Sequence, residues 1–221
     1  MPASIPTYLV LLPLLTLAAA DAPPSDVPQY SLPVGRKLVY SVQSESRSNE
    51  NSVMSTQGSF QMTVVRANTD GSRRVIFRSA SSYKQIEYRA PERVNLAYAD
   101  VFPDGRVLPN SSLNMQIDLA TALPRLPKDE AQLKSGWIEQ DEARLQTTTF
   151  KTRDSQAPND FVFGAAQDSV MNKIYAMTRQ YTYHFDRAKG VIDHVHITYS
   201  QDYGFHQRGL GTTCFVTLPL T

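Results

Sequence analysis

From Val34 onward, apolar residues fall mostly at every second position, and turn signals separate the runs. A two-residue period is the mark of strands with one buried face, and it excludes a helical bundle. Leu38, Tyr40 and Val42 share one face of a first strand, and Phe60, Met62 and Val64 share one face of a second. Asn68-Thr69-Asp70-Gly71 then turns the chain into Arg74-Val75-Ile76-Phe77, which predicts a hairpin. Ile86, Tyr88, Leu96, Tyr98 and Val101 mark two further strands. Phe102-Pro103-Asp104-Gly105-Arg106 has the residue order of a type I turn closed by a glycine bulge.

Leu113, Met115, Ile117 and Leu119 alternate with polar residues and read as a strand, with Ser111-Ser112 before them able instead to cap a short helix. Leu123-Pro124-Arg125-Leu126-Pro127 can continue neither element, residues 127–136 read as a charged surface connection, and Trp137 re-enters the core. Beyond it lie runs at Leu145–Phe150 and Phe161–Phe163, a helical turn at Ser169–Lys173, and strands over Ala176–Phe185, Val191–Tyr199 and Thr212–Leu218. Gly209-Leu210-Gly211 reads as a loop between the last two. Gly190 supplies the positive φ needed by the turn after Phe185. The expected fold is mainly β: one large curved antiparallel meander, a half-barrel or open barrel with few short helices, in two parts separated by the Pro-rich crossing at 123–127.

Composition narrows the partners. Lys+Arg 22 against Asp+Glu 21 leaves a formal charge of +1, with no basic block to neutralise a nucleic-acid backbone or an anionic membrane surface. Eleven Tyr and nine Phe in a chain that is 41% hydrophobic fit a half-buried, aromatic-studded sheet. The sole cysteine, Cys214, rules out an internal disulfide and reads as a strand thiol, with no flanking basic group to activate it.

Residues 5–20 are almost wholly apolar, shorter than the ~20 residues that span a bilayer, and they end in Ala18-Ala19-Ala20 before Asp21. Although no Lys or Arg precedes them, they read as a cleaved signal peptide over 1–20, with no cysteine to carry a lipid. The expectation is a secreted or periplasmic protein: a Pro-rich leader over 21–33, one β domain over 34–221, and no membrane span in the mature chain.

Several landmarks stand in order: Gly35-x-x-x-x-Tyr40, the Asp-Gly turns, Leu123-Pro124-x-Leu126-Pro127, Gly136-Trp137, Phe185-Asp186-x-x-x-Gly190, and a closing alternating strand. Together they resemble families of exported bacterial β-meander proteins, similar in pattern to the periplasmic lipoprotein-carrier half-barrel, whose curved sheet encloses an apolar cavity plugged by helices. The resemblance implies a binding or scaffolding module rather than an enzyme. No amphipathic stretch of this chain matches the plug helix.

The motifs Gly-x-Ser-x-Gly, His-Glu-x-x-His, Cys-x-x-Cys and Gly-x-x-x-x-Gly-Lys are absent, so the reading leans away from catalysis. Tyr181, Tyr183, Tyr199 and Trp137 are the candidate ligand-binding residues, because each offers a large apolar ring with one hydrogen-bonding tip. The ligand they suggest is an apolar small molecule, with an envelope protein as the other partner class and no cofactor.

The competing reading is a metal-binding protein or metal-dependent hydrolase. Alternation puts His184, His194 and His196, three of the chain's four histidines, on one face of a hairpin with Thr182 and Ile192, where they would bind zinc or copper through neutral imidazoles. His206 is an unforced fourth ligand. The same alternation sets Asp193 on the opposite, apolar face. Glu139, Asp141 and Glu142 after Trp137 read as a solvated acidic patch.

Overall fold

The alternating segments become strands, and their turns set the order in which they pair. The computed structural model describes residues 26–48, 52–85, 87–109, 119–141, 146–155, 157, 159–172, 175–202 and 208–218. The first half contains β1 (Lys37–Ser48), β2 (Ser52–Ala67), β3 (Arg73–Gln85), β4 (Tyr88–Arg89), β5 (Arg93–Val101) and β6 (Val107–Pro109). Two short helices follow, α1 (Leu119–Ala122) and α2 (Glu130–Ser135). The second half contains β7 (Trp137–Asp141), β8 (Gln146–Arg153), β9 (Asp160–Asn172), β10 (Tyr175–Asp186), β11 (Val191–Asp202) and β12 (Arg208–Leu218).

These strands form one twelve-stranded sheet in the order β6-β5-β3-β2-β1-β12-β11-β10-β9-β8-β7, with β4 paired to β3. Almost every neighbour is also a neighbour in sequence, as hairpin chemistry requires. The exceptions are β3 with β5, which skips the two-residue β4, and the antiparallel ladder between β1 and β12, from Val39↔Leu218 to Ser48↔Gly209. That ladder joins two meanders along the first strand of one and the last strand of the other, and leaves β6 and β7 as the edges. The sheet curls into an antiparallel half-barrel.

The turns behave as their residues dictate. Gly71, Gly105 and Gly190 all have positive φ. The Gly105 N–H closes the β5–β6 turn on the Phe102 carbonyl at 3.0 Å, and the Gly190 N–H closes the β10–β11 turn on the Asp186 carbonyl at 2.7 Å.

The inward faces of the strands carry the core near one end of the half-barrel. Leu38 and Tyr40, Phe60 and Met62, Val75 and Phe77, Phe161 and Phe163, and Tyr181 and Tyr183 are all buried. Each aromatic ring buries a large apolar area, and these rings dominate the packing. Phe60 stacks on Phe77 at 5.9 Å and Phe163 on Tyr183 at 4.8 Å between centroids.

Two irregular segments close that end. The first is the Pro-rich stretch before β1. The leader was expected to run to 33 and precede the domain, but Tyr30 and Leu32 are buried core residues. The Tyr30 N–H bonds the Pro103 carbonyl at 2.8 Å and the Ser31 N–H the Gly190 carbonyl at 2.9 Å, so the segment crosses from the β10–β11 turn to the β5–β6 turn. The second is 121–127. Its Leu126 N–H bonds the Asp104 carbonyl at 2.9 Å, and its Pro124 carbonyl accepts from the Tyr30 hydroxyl at 3.1 Å. Prolines suit both segments, because neither belongs to a ladder that needs every N–H.

Three local expectations change, and a fourth lies mostly outside the described residues. The connection over 127–136 contains α2, whose N-cap Asp129 accepts from the Gln132 N–H, the standard side-chain satisfaction of a helix start. No helical turn forms at 169–172, because β9 continues to Asn172 against β10 through a register shift at Met171. Gly209-Leu210-Gly211 lies within β12 rather than in a loop. Of the strand expected over 113–119, residues 113–118 lie outside the described residues, and Leu119 opens α1. Residues 1–20 also lie outside them.

Candidate functional site

Two places collect the residues singled out in the sequence: the concave wall of the half-barrel and the outer surface of the β10–β11 hairpin.

On the concave wall, antiparallel register lines up one inward residue per strand. One rung consists of Trp137, Phe150, Ala165, Tyr181 and Ile197, running from β7 to β11. All five are buried. Trp137 lies parallel to Phe150 at 5.1 Å between centroids, and its indole Nε1–H donates to the Arg125 carbonyl at 2.9 Å. Tyr181 stacks on Tyr183 at 5.7 Å.

The next rung toward the open end consists of Glu139, Thr148, Gln167, Arg179 and Tyr199. A single step of two residues therefore changes the wall from apolar to polar. Gln167 organises this second rung. Its Oε1 accepts from the Tyr181 hydroxyl at 3.2 Å and from Arg179 at 3.5 Å. Its Nε2 donates to Thr148 Oγ1 at 3.2 Å and to Gln146 Oε1 at 3.4 Å. Both ends of the amide are engaged, so the network fixes which end points to the arginine.

The facing wall, made by β1, β2, β3 and β5, mixes small and large side chains at its inward positions, with Tyr83 paired to Thr56 and Gln85 to Met54. Ser44 pairs with Thr56, Gly58 with Ser81, and Ser79 with Asn95. The concave face above the buried floor is the cup of the half-barrel.

The four candidate ligand residues therefore divide. Tyr181, Tyr183 and Trp137 form the buried floor, and Tyr199 stands half-buried in the polar rung above it. Sequence reasoning did not single out Gln167 and Arg179. Arg179 was within reach, since it lies two residues before Tyr181 on the same face. Gln167 comes beside it only through the β9–β10 register.

On the outer surface, His184, His194 and His196 share one face, as the alternation predicts. His184 pairs directly with His194, and His196 pairs with Thr182. The two paired imidazoles meet edge to face at 5.7 Å between centroids, and His184 Nδ1 lies 3.1 Å from Asp160 Oδ2. Burial, then the neighbouring His184 and His196 charges, hold the His194 imidazole below its ordinary range. Among the described residues, no group of three or more His, Cys, Asp or Glu side chains is arranged to hold a metal ion. His206 and Glu142 lie outside the described residues.

Asp193 and Ile192 are placed oppositely to the alternation. Phe185 pairs with Ile192 but His184 with His194, so Asp193 is an extra residue, a β-bulge. The bulge turns Ile192 into the core, where it is 1% exposed, and puts Asp193 at the surface. There it lines an open depression of about 310 Å³ with Asp160, Asp186, His184 and His194. Glu139 points into the cup rather than joining a solvated patch, and its carboxylate is 3.9 Å from Arg125.

No family model matches this chain, and no curated protein matches it in sequence. No sequence match thus ties it to the exported bacterial families its landmarks resemble. Among solved structures, the S-type phycobiliprotein lyase CPES from Guillardia theta aligns at TM-score 0.37 and 7% identity, over 85% of this chain and 89% of that one. A de novo designed transmembrane β-barrel aligns at 0.27 and 5%, over 84% and 98%. A structure titled for lipid–protein interactions in lipovitellin aligns far better, with TM-score 0.62 over 86% of this chain at 14% identity. This chain covers 26% of the lipovitellin chain, about a quarter of its length, and shares with it the curled, antiparallel β fold.

Proposed function

We propose that this protein is an exported, non-catalytic binding domain that holds a lipid-like small molecule in the cup of its half-barrel. The observation that carries this reading is the step in the concave wall, from the apolar rung containing Ala165, Tyr181 and Ile197 to the polar rung containing Gln167, Arg179 and Tyr199. An amphiphile matches such a wall. Its tail covers the top of the apolar floor, and its head meets side chains that already carry hydrogen bonds. One solved structure with the same fold is titled for its lipid–protein interactions. The apolar run over 5–20 supports export to a compartment where such a ligand is handled.

The test is native mass spectrometry of the purified full chain for a bound lipid, followed by titration of delipidated protein with the neutral probe N-phenyl-1-naphthylamine. The expected result is saturable binding that a lipid extract displaces. Non-saturable binding, or none, overturns the reading.

A further inference from the structure

The closed end of the half-barrel holds a second cavity, which shares no lining residue with the two rungs of the cup. It has a volume of about 290 Å³, and Tyr30, Leu32 and Pro33 of the segment before β1 wall it opposite Arg73, Val101 and Pro103. Position 73 belongs to the inward face of β3, two residues before the buried Val75, and it pairs across the sheet with the fully buried Val101. Alternation asks for an apolar residue there. An arginine at such a place keeps its charge only by sending the guanidinium beyond the strand end or over a cavity. The Arg73 Nη1 donates to the Gly71 and Ser72 carbonyls, each at 3.1 Å, and the residue lines the cavity. We infer that this cavity is a binding site for a small carboxylate with a compact apolar body, the carboxylate on Arg73 and the body against Pro33 and Pro103. The site is independent of the function proposed for the cup.

Three features support this assignment. The two carbonyls anchor one nitrogen of a planar, five-donor fork and bring no negative charge, and such a fork matches the two oxygens of a carboxylate. Second, the acids around the site are engaged elsewhere. Asp70 Oδ1 accepts from the Ser72 N–H and hydroxyl, Asp100 holds Arg74 through two bonds at 2.9 Å, and Asp104 pairs with Arg125. Third, the walls suit an apolar body of limited size. Pro33 and Pro103 have no backbone N–H to desolvate, so a ring covers them without the loss of a donor's bond to water. The volume lies at the small end of small-molecule sites, roughly 300–1,000 Å³, which admits one ring and its head but no lipid tail.

The experiment titrates the isotopically labelled full chain with benzoate and with benzamide, its neutral counterpart of the same shape, and follows backbone amides by NMR. Wild type, Arg73→Gln and Arg73→Lys are compared, and circular dichroism verifies each fold. In wild type, benzoate is expected to give saturable shifts at the amides of Tyr30, Leu32 and Val101. It is expected to bind roughly 10- to 100-fold more tightly than benzamide, the range of a charge-assisted hydrogen bond. Arg73→Gln should abolish that preference and Arg73→Lys keep part of it. Absence of saturable benzoate binding, or shifts centred away from these residues, overturns the site. Equal wild-type affinity for benzoate and benzamide, or a preference that survives Arg73→Gln, overturns the carboxylate assignment, and the wild-type comparison decides it even if a variant fails to fold.

Discussion

The Tyr40 hydroxyl donates to the Ile192 backbone carbonyl at 3.0 Å, linking residues 152 positions apart. Tyr40 is on β1 and Ile192 on β11, with β12 between them in the sheet. The bond therefore reaches across the concave face rather than along a ladder, and it ties the curl of the half-barrel to the residue just before the Asp193 bulge. Burial pushes the Tyr40 phenol well above its ordinary range, so it remains a neutral donor at physiological pH.

Tyr40→Phe keeps the ring and removes only the donor. A buried carbonyl that loses a partner costs about 1–3 kcal/mol. Urea denaturation of the variant is expected to show a lower midpoint with an unchanged slope. An unchanged midpoint would mean that the cross-face bond contributes nothing to stability.

Trp137 is the only tryptophan, which makes it a reporter for the floor. It is 5% exposed and stacked on Phe150, so native emission should be blue-shifted and should move to the red on unfolding. Trp137→Ala opens a cavity beside Phe150 and Phe163 and removes the donor to Arg125, for an expected loss of about 3–5 kcal/mol. Red-shifted emission from the folded protein would contradict the buried stack.

Gly190 governs the docking of the segment before β1. Its φ is +64°, and a Cβ there would come within 2.6 Å of Ser31 Cβ and 2.8 Å of the Ser31 backbone nitrogen. Gly190→Ala should push Ser31 away and weaken its bond to the Gly190 carbonyl. Limited proteolysis is expected to cut residues 26–33 faster in the variant while the sheet survives. Equal cutting rates would show that the segment is held by other contacts.

His194 should leave a mark on the pH dependence of stability. Its folded imidazole titrates below the ordinary 6.5, so between the lowered value and 6.5 the unfolded chain binds more protons than the native one. Stability therefore rises with pH through that window and is lowest beneath it. Urea midpoints from about pH 5 to about pH 7.5 should climb in wild type and climb less in His194→Gln. Equal slopes would remove His194 as the source.

Much of this architecture is local and hence legible. Phe60, Met62 and Val64 can share a face only if the chain is a strand, and Asp70-Gly71 and Asp104-Gly105 can do little but turn it. The histidine face followed from the same alternation. Asp193 did not, because a bulge inserts one residue without any change in composition, and here it exchanges the faces of Asp193 and of Ile192 before it. The candidate site divided in the same way. Tyr181, Tyr183, Tyr199 and Trp137 were readable as inward aromatics, but whether each would be floor or rim depended on how far the opposite wall closes over it.

The sequence by itself determined the strands, their hairpins and the apolar side of each, because side-chain alternation and turn chemistry act over a few residues. Only the tertiary structure decided the β1–β12 ladder, the docking of 26–33 and 121–127 across the closed end, and the meeting of Gln167 with Arg179. Those contacts join residues far apart in the chain, and their register is set by how twelve strands curl together around one aromatic floor.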